Sequence, residues 1–308
     1  MPKKYCRKSI IPTIVIIIYL MLLSNGFATG IIYAEEKPAS LYPVTISSIR
    51  YWKPTSTSEV SIRTVDPTQV QSMAPIRTNP KLLVVMYHNI VYGRTGNIYN
   101  RDLYNFEHDL MALKRNFSIT DFSDLIYGMA TNSLKTDQAI ITFDDGDLSM
   151  YGIVFPLFKE YKIKATFFLV PNFIGTVGYM SWDQIREIAN YRDENGNRLF
   201  FFGSHSLTHR SLGDLTAKEV TQELTESKRI IEKETGYPVE VLALPFGSGA
   251  GDATIINIAR NAGYKAIRTS REVATQLSSL DLMKVGGFNV ESYSTDVFVK
   301  NMLKLTGR

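Results

Sequence analysis

Cysteine and histidine are both scarce in this chain of 308 residues, which contains one cysteine and four histidines. The cysteine is Cys6, so no disulfide can form within the chain, and no cysteine-based metal or redox site is possible beyond the N-terminal segment. Two of the four histidines, His205 and His209, lie only four positions apart in the stretch SHSLTHRSL. They are either a metal-binding pair or two polar residues on an exposed turn.

Outside the N-terminal segment, the chain also has no excess of positive charge. The chain has 34 Lys and Arg residues against 30 Asp and Glu residues, a net charge of +4. Residues 1–34 hold four basic residues and no acidic one, so the remainder has 30 of each and a net charge of 0. A nucleic-acid-binding surface needs clustered Lys and Arg in the folded part. We therefore expect no nucleic-acid partner.

The basic residues at the N-terminus have the placement typical of an export signal. They precede an apolar run, IIPTIVIIIYLMLL, which is followed by small and polar residues around SNGFATG. Residues 1–34 are therefore expected to be a signal peptide, cleaved after Ala28 or Ala34, or a retained membrane anchor. Either alternative predicts an exported protein that is extracellular, in the cell wall or at the outer face of the cytoplasmic membrane. Residues 35–79 are rich in Ser, Thr and Pro, which predicts an exposed spacer.

Apolar runs and helical patterns alternate over residues 80–308, which predicts one α/β domain. The runs LLVVMYH, AIITF, KATFFLV, LFFFGS and EVLALPF are typical of buried strands, and YKAIRT is a shorter candidate. The helical patterns between them include two capping boxes, Ser181 with Gln184 and Thr216 with Glu219. This order is typical of a parallel sheet, either open or closed into a barrel. In both forms, functional residues collect beyond the carboxyl ends of the strands.

Polar residues follow several of these strands directly. Asp144 and Asp145 come after AIITF. His205 follows LFFFGS, and His88 follows LLVVMY. Each has an ordinary structural explanation, because Asp-Asp-Gly is a common turn and a lone histidine is often buried. Their shared place at strand ends instead predicts a single site at one rim of the sheet.

Two neutral imidazoles and one carboxylate form a common open metal site, which leaves positions for water and substrate. Residues four apart share one side of a helical turn, so His205 and His209 are expected on such a turn. Nitrogen and oxygen ligands of this kind suit Zn²⁺, Co²⁺ or Ni²⁺. The sequence therefore predicts a divalent metal site that combines this pair with a strand-end aspartate.

The motifs TFDDG (142–146) and SHSLTH (204–209) resemble the first two motifs of the NodB-homology polysaccharide deacetylases, carbohydrate esterase family 4. The resemblance extends over about residues 81–290 and includes LALPFG, which is similar to the family's third motif. It implies a distorted (β/α) barrel and a divalent metal, usually zinc. It also implies a hydrolase that removes N-acetyl or O-acetyl groups from a sugar polymer.

The same resemblance implies roles for individual residues. Asp145, His205 and His209 would be the metal ligands, and Asp144 would be the general base. The chemistry agrees with this division, because a metal polarises the acetamide carbonyl and acidifies water while a free carboxylate takes a proton. Two adjacent carboxylates repel each other, so one bound to a cation and one free is a sensible arrangement.

Three further residues belong to the expected substrate site. The backbone N–H of Phe246, which follows Pro245 in the third motif, would stabilise the tetrahedral oxyanion together with the metal. Trp182 would either offer an aromatic face to a sugar ring or pack on the barrel rim.

The chain departs from the family pattern in two places. Ala243 stands where the third motif normally has the arginine that orients the base, and Arg268 could take its place. No histidine follows His209, although the family often supplies its general acid from a later one. Similar departures occur in the branch that resembles biofilm poly-N-acetylglucosamine deacetylases and exported Gram-positive homologues. His88 would then be the substitute acid or a residue that supports the metal ligands, or else a buried histidine bonded to a backbone carbonyl.

The sequence therefore predicts an exported, metal-dependent hydrolase that removes N-acetyl groups from a polysaccharide containing N-acetylglucosamine, either peptidoglycan or poly-N-acetylglucosamine. Two alternatives remain open. One is a weakly active or non-catalytic glycan-binding protein of the cell envelope that retains the metal, which the two departures favour. The other is a hydrolase of a different amide or ester, since fold and metal do not fix the substrate.

Overall fold

The structure, a computed structural model, describes residues 74–93 and 95–308. The predicted signal or anchor over residues 1–34 and most of the predicted spacer over 35–79 lie outside the described residues. None of the helices in the two described stretches combines the length and the apolarity that a membrane crossing requires.

Most strands of the described chain belong to one curled sheet. The strands are β1 (Lys81–Tyr87), β2 (Asn89–Val91), β3 (Asn100–Asp102), β4 (Ser118–Thr120), β5 (Gln138–Phe143), β6 (Ala165–Leu169), β7 (Phe200–Ser204), β8 (Val241–Ala243), β9 (Ala266–Arg268), β10 (Thr275–Gln276) and β11 (Phe288–Asn289). The sheet order is β10-β1-β5-β6-β7-β8-β9, with β11 also beside β1 and β4 beside β5, while β2 and β3 pair separately. Neighbours from β1 through β9 along this order are parallel, so their carboxyl ends meet at one rim.

Helices connect the parallel strands, as the alternating sequence patterns predict. They are α1 (Leu103–Asn116), α2 (Phe122–Ala130), α3 (Phe155–Tyr161), α4 (Trp182–Asn190), α5 (Ala217–Thr235), α6 (Ala253–Asn261) and α7 (Thr295–Thr306). Both predicted capping boxes are present, at the start of α4 and at the start of α5. Helix α5 ends at Gly236, whose φ of 75° is the left-handed conformation that glycine adopts without steric cost.

Both faces of the sheet are buried, and this explains why its strands are continuous apolar runs. Along β1, Leu83, Val85 and Tyr87 belong to a large core cluster. The alternating residues Leu82 and Val84 belong to a second, smaller cluster on the opposite face, because successive side chains of a strand point to opposite sides. The site residues that follow the strands are therefore attached to a sheet that is tightly packed on both faces.

The segment of residues 285–290 forms hydrogen bonds beside β9 and beside β1, the two outermost parallel strands of the sheet order. Val285 donates its N–H to the carbonyl of Ile267 (2.9 Å), and Thr269 donates to the carbonyl of Val285 (2.8 Å), beside β9. Five residues later, Val290 donates to the carbonyl of Met86 (2.9 Å), beside β1. The α/β class is confirmed, and the curled sheet is consistent with the distorted (β/α) barrel that the sequence predicts.

Candidate metal centre

The two adjacent aspartates leave the carboxyl end of β5 in different environments. The backbone N–H of Asp144 donates to the carbonyl of Tyr87 (2.9 Å) and continues the pairing with β1. Asp145 then takes a left-handed φ of 74°, and Gly146 follows with a φ of 89°. This turn leaves the Asp144 side chain 2% exposed and that of Asp145 23% exposed, so Asp144 is almost fully buried and Asp145 is only partly buried.

His205 and His209 follow β7 on an irregular turn, so the predicted helical turn is wrong. Ser206 and His209 both have a φ of 64°, which lies outside the right-handed helical region. The side chain of Ser206 accepts a hydrogen bond from the N–H of His209 (3.0 Å), and that of Ser204 accepts from the N–H of Ser206 (3.2 Å). Serine side chains compete with helical backbone bonds in this way. The turn nonetheless brings the two imidazole centroids to 4.8 Å.

Three potential ligand atoms converge on one point. Asp145, His205 and His209 each offer one such atom, and these atoms lie within 4.8 Å of one another. Oδ1 of Asp145 is 3.3 Å from Nε2 of His209 and 3.6 Å from Nε2 of His205. A separation of 3.6 Å is too long for a hydrogen bond but suits two ligands that share a cation. The structure thus brings together the three residues that the family resemblance implies as metal ligands.

The protonation of these residues fits a divalent cation. Nδ1 of His205 lies 2.9 Å from the carbonyl oxygen of Ala243 and is therefore the protonated nitrogen, which leaves the Nε2 lone pair free to bind a metal. Burial lowers the pKa of His205 to about 3, and burial also lowers the pKa of His209, so both rings are neutral at neutral pH. Oδ1 of Asp145 is buried without a hydrogen-bond partner among the described residues. Two neutral imidazoles and an unpaired carboxylate oxygen are suitable ligands for zinc, cobalt or nickel.

Asp144 adjoins this set, with its Oδ2 3.5 Å from Nε2 of His205, but it differs from Asp145 because an arginine holds its carboxylate. Arg268, at the end of β9, donates a hydrogen bond to Oδ2 of Asp144, and its side chain is fully buried. Burial of Asp144 raises its pKa, but the charge of Arg268 and its hydrogen bond to the carboxylate outweigh this effect and hold the pKa below its usual value. Oδ1 of Asp144 is buried with no hydrogen-bond partner in the described part of the chain. An ionised carboxylate with one unpaired oxygen next to a metal centre can accept a proton.

His88 comes directly after β1, and Asp144 follows the paired position of β5, because Tyr87 and Phe143 are register partners. The ring centroid of His88 is 4.8 Å from that of Tyr99. Nδ1 of His88 is buried and has no hydrogen-bond partner within the described residues, so the expected bond from a buried His to a backbone carbonyl is not found at this atom.

Aromatic rings flank His209. Phe246 follows the buried Pro245 in a short 3₁₀ turn, has a φ of 56° and is 71% exposed, and its ring centroid is 4.6 Å from that of His209. Phe173, which no sequence motif singles out, lies 5.7 Å from the same imidazole. Trp182 is the first residue of α4 and packs against the large core cluster, as the rim-packing alternative predicts. Its contact with a sugar stays a prediction.

Known proteins resemble this chain in the region that carries the site. Residues 131–267 match the family model described as polysaccharide deacetylase. The chain is 27% identical over 169 residues to YxkH of Bacillus subtilis (strain 168), and this match covers 54% of the chain and 57% of that protein. It is 23% identical over 185 residues to the poly-β-1,6-N-acetyl-D-glucosamine N-deacetylase of Staphylococcus aureus (strain MRSA252), covering 57% of the chain and 63% of the relative. The matched part therefore spans less than two thirds of either relative.

Solved structures show the same fold. The Streptococcus pyogenes deacetylase PplD, in complex with acetate, superposes with a TM-score of 0.62 at 20% identity, covering 74% of this chain and 99% of that one. IcaB from Ammonifex degensii superposes with a TM-score of 0.57 at 21% identity, covering 74% of this chain and 98% of that one.

Proposed function

Because the chain carries a polysaccharide deacetylase domain of the NodB-homology type, carbohydrate esterase family 4, we propose that it is a metal-dependent N-deacetylase of a polymer containing N-acetylglucosamine. The observation that carries the proposal is a division of roles within the site. Three ligand atoms converge on one point, while Arg268 holds the carboxylate of Asp144 beside them. A site that only bound a metal would have no need of this fourth, ionised group.

The residues of the chain account for each proton transfer in amide hydrolysis. A divalent cation held by Asp145, His205 and His209 would polarise the acetamide carbonyl and lower the pKa of water. Asp144 takes a proton from the water whose oxygen bonds to the carbonyl carbon. The N–H of Phe246 donates to the oxygen that becomes negative.

The second half of the reaction breaks the carbon–nitrogen bond. The departing sugar nitrogen must gain a proton at this point, because a free amide anion is a very poor leaving group. We assign this proton to His88, which follows β1 at the position paired with Asp144 and whose Nδ1 is buried and unpaired in the described structure. The products are acetate and a polymer with a free amine.

We propose poly-N-acetylglucosamine as the first substrate to test, with peptidoglycan as the alternative. The support is the likeness to the Staphylococcus aureus poly-β-1,6-N-acetyl-D-glucosamine N-deacetylase. The exposed ring of Phe246 beside His209 offers an apolar face against which a sugar ring could lie. Export to the cell envelope is part of the same proposal, and its support is the charged, apolar and small-residue order of residues 1–34.

The test is acetate release by the full chain from β-1,6-linked N-acetylglucosamine oligomers, β-1,4-linked oligomers, peptidoglycan and an O-acetylated glycan. We expect release from the first substrate, loss of release with a chelator, and recovery with Zn²⁺, Co²⁺ or Ni²⁺. Asp144→Asn should lower turnover by a factor of about 10² to 10⁴ with unchanged metal content. Asp183→Asn, which alters an exposed aspartate of α4, is the matched control.

Other outcomes identify the alternatives. Metal bound in full amount without acetate release from any substrate would support the glycan-binding alternative, which a binding assay on the same oligomers would then measure. Release from the O-acetylated glycan alone would indicate an esterase. Cell fractionation with an antibody against the domain tests export, and recovery only from the cytoplasm would contradict it.

A further inference from the structure

We propose that Glu223 of α5 is a positioning residue that holds the turn between His205 and His209 in its metal-binding conformation. The proposal rests on the proposed function in one respect, which is that this turn binds a metal. It assigns a role to a helix that contributes no ligand atom of its own.

The carboxylate of Glu223 binds the middle of the turn at three points. Its Oε2 accepts hydrogen bonds from the backbone N–H of Leu207 (2.9 Å) and of Thr208 (2.8 Å). Its Oε1 accepts from the hydroxyl of Thr208 (2.6 Å). Glu223 is only 2% exposed, so these bonds are shielded from water. One side chain thus satisfies three donors that lie between the two histidine ligands.

The turn needs such an external partner because its own backbone cannot supply one. Leu207 and Thr208 lie in neither a strand nor a helix, and their N–H groups find acceptors on this side chain. Ser206 and His209, on either side of them, are non-glycine residues with a φ of 64°. Backbone in this region persists only where surrounding contacts hold it. Without Glu223, the turn would relax and move the imidazoles apart.

A second residue of α5 supports the start of the turn. Ser227 lies one helical turn after Glu223, so both side chains lie on the same face of α5. The hydroxyl of Ser227 is 2.6 Å from that of Ser204, which in turn accepts the N–H of Ser206 (3.2 Å). Both hydroxyls are fully buried. The polar face of α5 therefore contacts the turn on both sides of His205.

The experiment compares metal binding by wild type and four variants of the full chain: Glu223→Ala, Glu223→Asp, Glu223→Gln and Glu226→Gln. Affinity for Zn²⁺ is measured by competition with a chromogenic chelator, and ligand geometry by the visible absorption of bound Co²⁺. Glu226 is the matched control, because it lies on the same helix and pairs with Arg229 at an exposed position.

We expect Glu223→Ala to weaken Zn²⁺ binding by a factor of about 10 to 100, the usual effect of removing a group that orients metal ligands, and to alter the Co²⁺ spectrum. Glu223→Asp keeps the charge but withdraws the carboxylate by one methylene, so it should show the same loss. Glu226→Gln should match wild type. Glu223→Gln should recover most of the affinity, because its amide oxygen can still accept both N–H groups and only the contact with the half-exposed Arg210 is lost. This recovery would exclude a role that depends on charge alone.

Wild-type affinity and an unchanged Co²⁺ spectrum in Glu223→Ala would overturn the proposal. If the alanine variant does not fold, the same result in Glu223→Asp overturns it. A wild type that binds metal and releases no acetate contradicts the proposed deacetylase activity, yet the affinity comparison still decides the role of Glu223. A wild type that binds neither Zn²⁺ nor Co²⁺ overturns both.

Discussion

Arg268 donates its hydrogen bond to Asp144 from the strand next to the one where the deacetylase motif would place an arginine. Ala243 of β8, which stands at the motif position, is the register partner of Arg268 in β9. Side chains that are paired across parallel strands point to the same face of the sheet. The guanidinium therefore comes from β9 and not from β8, but it still contacts Asp144, the carboxylate that we propose as the general base.

Removal of this cation should change the pH dependence of the reaction. In Arg268→Met, burial continues to raise the pKa of Asp144 while the main opposing charge is lost, so the pKa rises. A base works only when ionised, so the acidic limb of the kcat/KM profile should move to higher pH. Below the wild-type limb, activity should be roughly tenfold lower than in wild type for every pH unit that the limb has moved. Acetate release measured across a pH series checks this.

A transferred arginine provides the control for that experiment. In the double variant Ala243→Arg with Arg268→Met, the guanidinium returns to the motif position and the acidic limb should move back toward wild type. Arg260→Met, on the exposed side of α6, should leave the profile unchanged. An unmoved acidic limb in Arg268→Met, with a folded protein and normal metal content, would mean that Arg268 does not set the ionisation of the base.

Gly287 leaves the space that Arg268 occupies. A Cβ at this position would lie 2.8 Å from Cδ of Arg268 and 2.6 Å from the carbonyl oxygen of Thr269, both closer than packed atoms allow. Gly287→Ala should therefore destabilise the protein by about 1–3 kcal/mol and lower turnover with unchanged metal content. Urea unfolding and acetate release measure the two effects.

A double-mutant cycle tests whether Gly287→Ala lowers turnover by displacing the Arg268 side chain. If it does, Gly287→Ala should lower turnover much less in the Arg268→Met background than in wild type. Equal losses in both backgrounds would show that the glycine acts through another part of the segment.

The proximity of Asp145, His205 and His209 could be predicted from sequence because parallel strands deliver their following residues to a common rim. Asp145 lies two residues after β5 and His205 directly after β7, and no long-range detail was needed to bring them together. The helical turn predicted for the histidine pair was wrong, because residue spacing alone does not reveal that Ser206 bonds the backbone of His209. Spacing indicated the right partners and the wrong local conformation.

Contacts that depend on register could not be predicted in the same way. Arg268 was only one candidate for the missing cation, since the pairing of β9 with β8 decides which side chain faces Asp144. No feature of the sequence indicated a role for Glu223. It lies within a charged, surface-like stretch, EVTQELTESK, and its burial becomes evident only when α5 packs beside the turn.

The affinity for a metal should fall at low pH because one proton, that of Asp145, competes with the cation. Burial and the charge of Asp144 raise the pKa of Asp145 to about 6, whereas the pKa of His205 is lowered to about 3. Above about pH 7 the ligands are already unprotonated, so affinity should be nearly constant. Between about pH 6 and pH 4 a cation must displace the Asp145 proton, so affinity should fall about tenfold per pH unit. Chelator competition with Zn²⁺ across this range measures the slope.

The neighbouring aspartate supplies a control for the same titration. Asp144→Asn removes the adjacent negative charge, so the pKa of Asp145 should fall and the break in the affinity curve should move to lower pH. A slope near two in wild type would show that an imidazole is also protonated in the metal-free protein, which contradicts the neutral histidines described above.

His88 should matter only for substrates whose leaving group needs a proton. An amide nitrogen must be protonated to depart, while the phenolate of an aryl acetate leaves without help. His88→Gln should therefore lower acetate release from N-acetylglucosamine oligomers by at least about tenfold and leave aryl acetate hydrolysis and metal content nearly unchanged. Asp144→Asn should lower both activities, because both need an activated water.

The matched histidine control is His108→Gln, because the ring of His108 lies on α1 against Tyr104. Equal losses on amide and ester would assign His88 to orienting the carboxylates, since a pure proton donor to the departing amine has no part in the ester reaction.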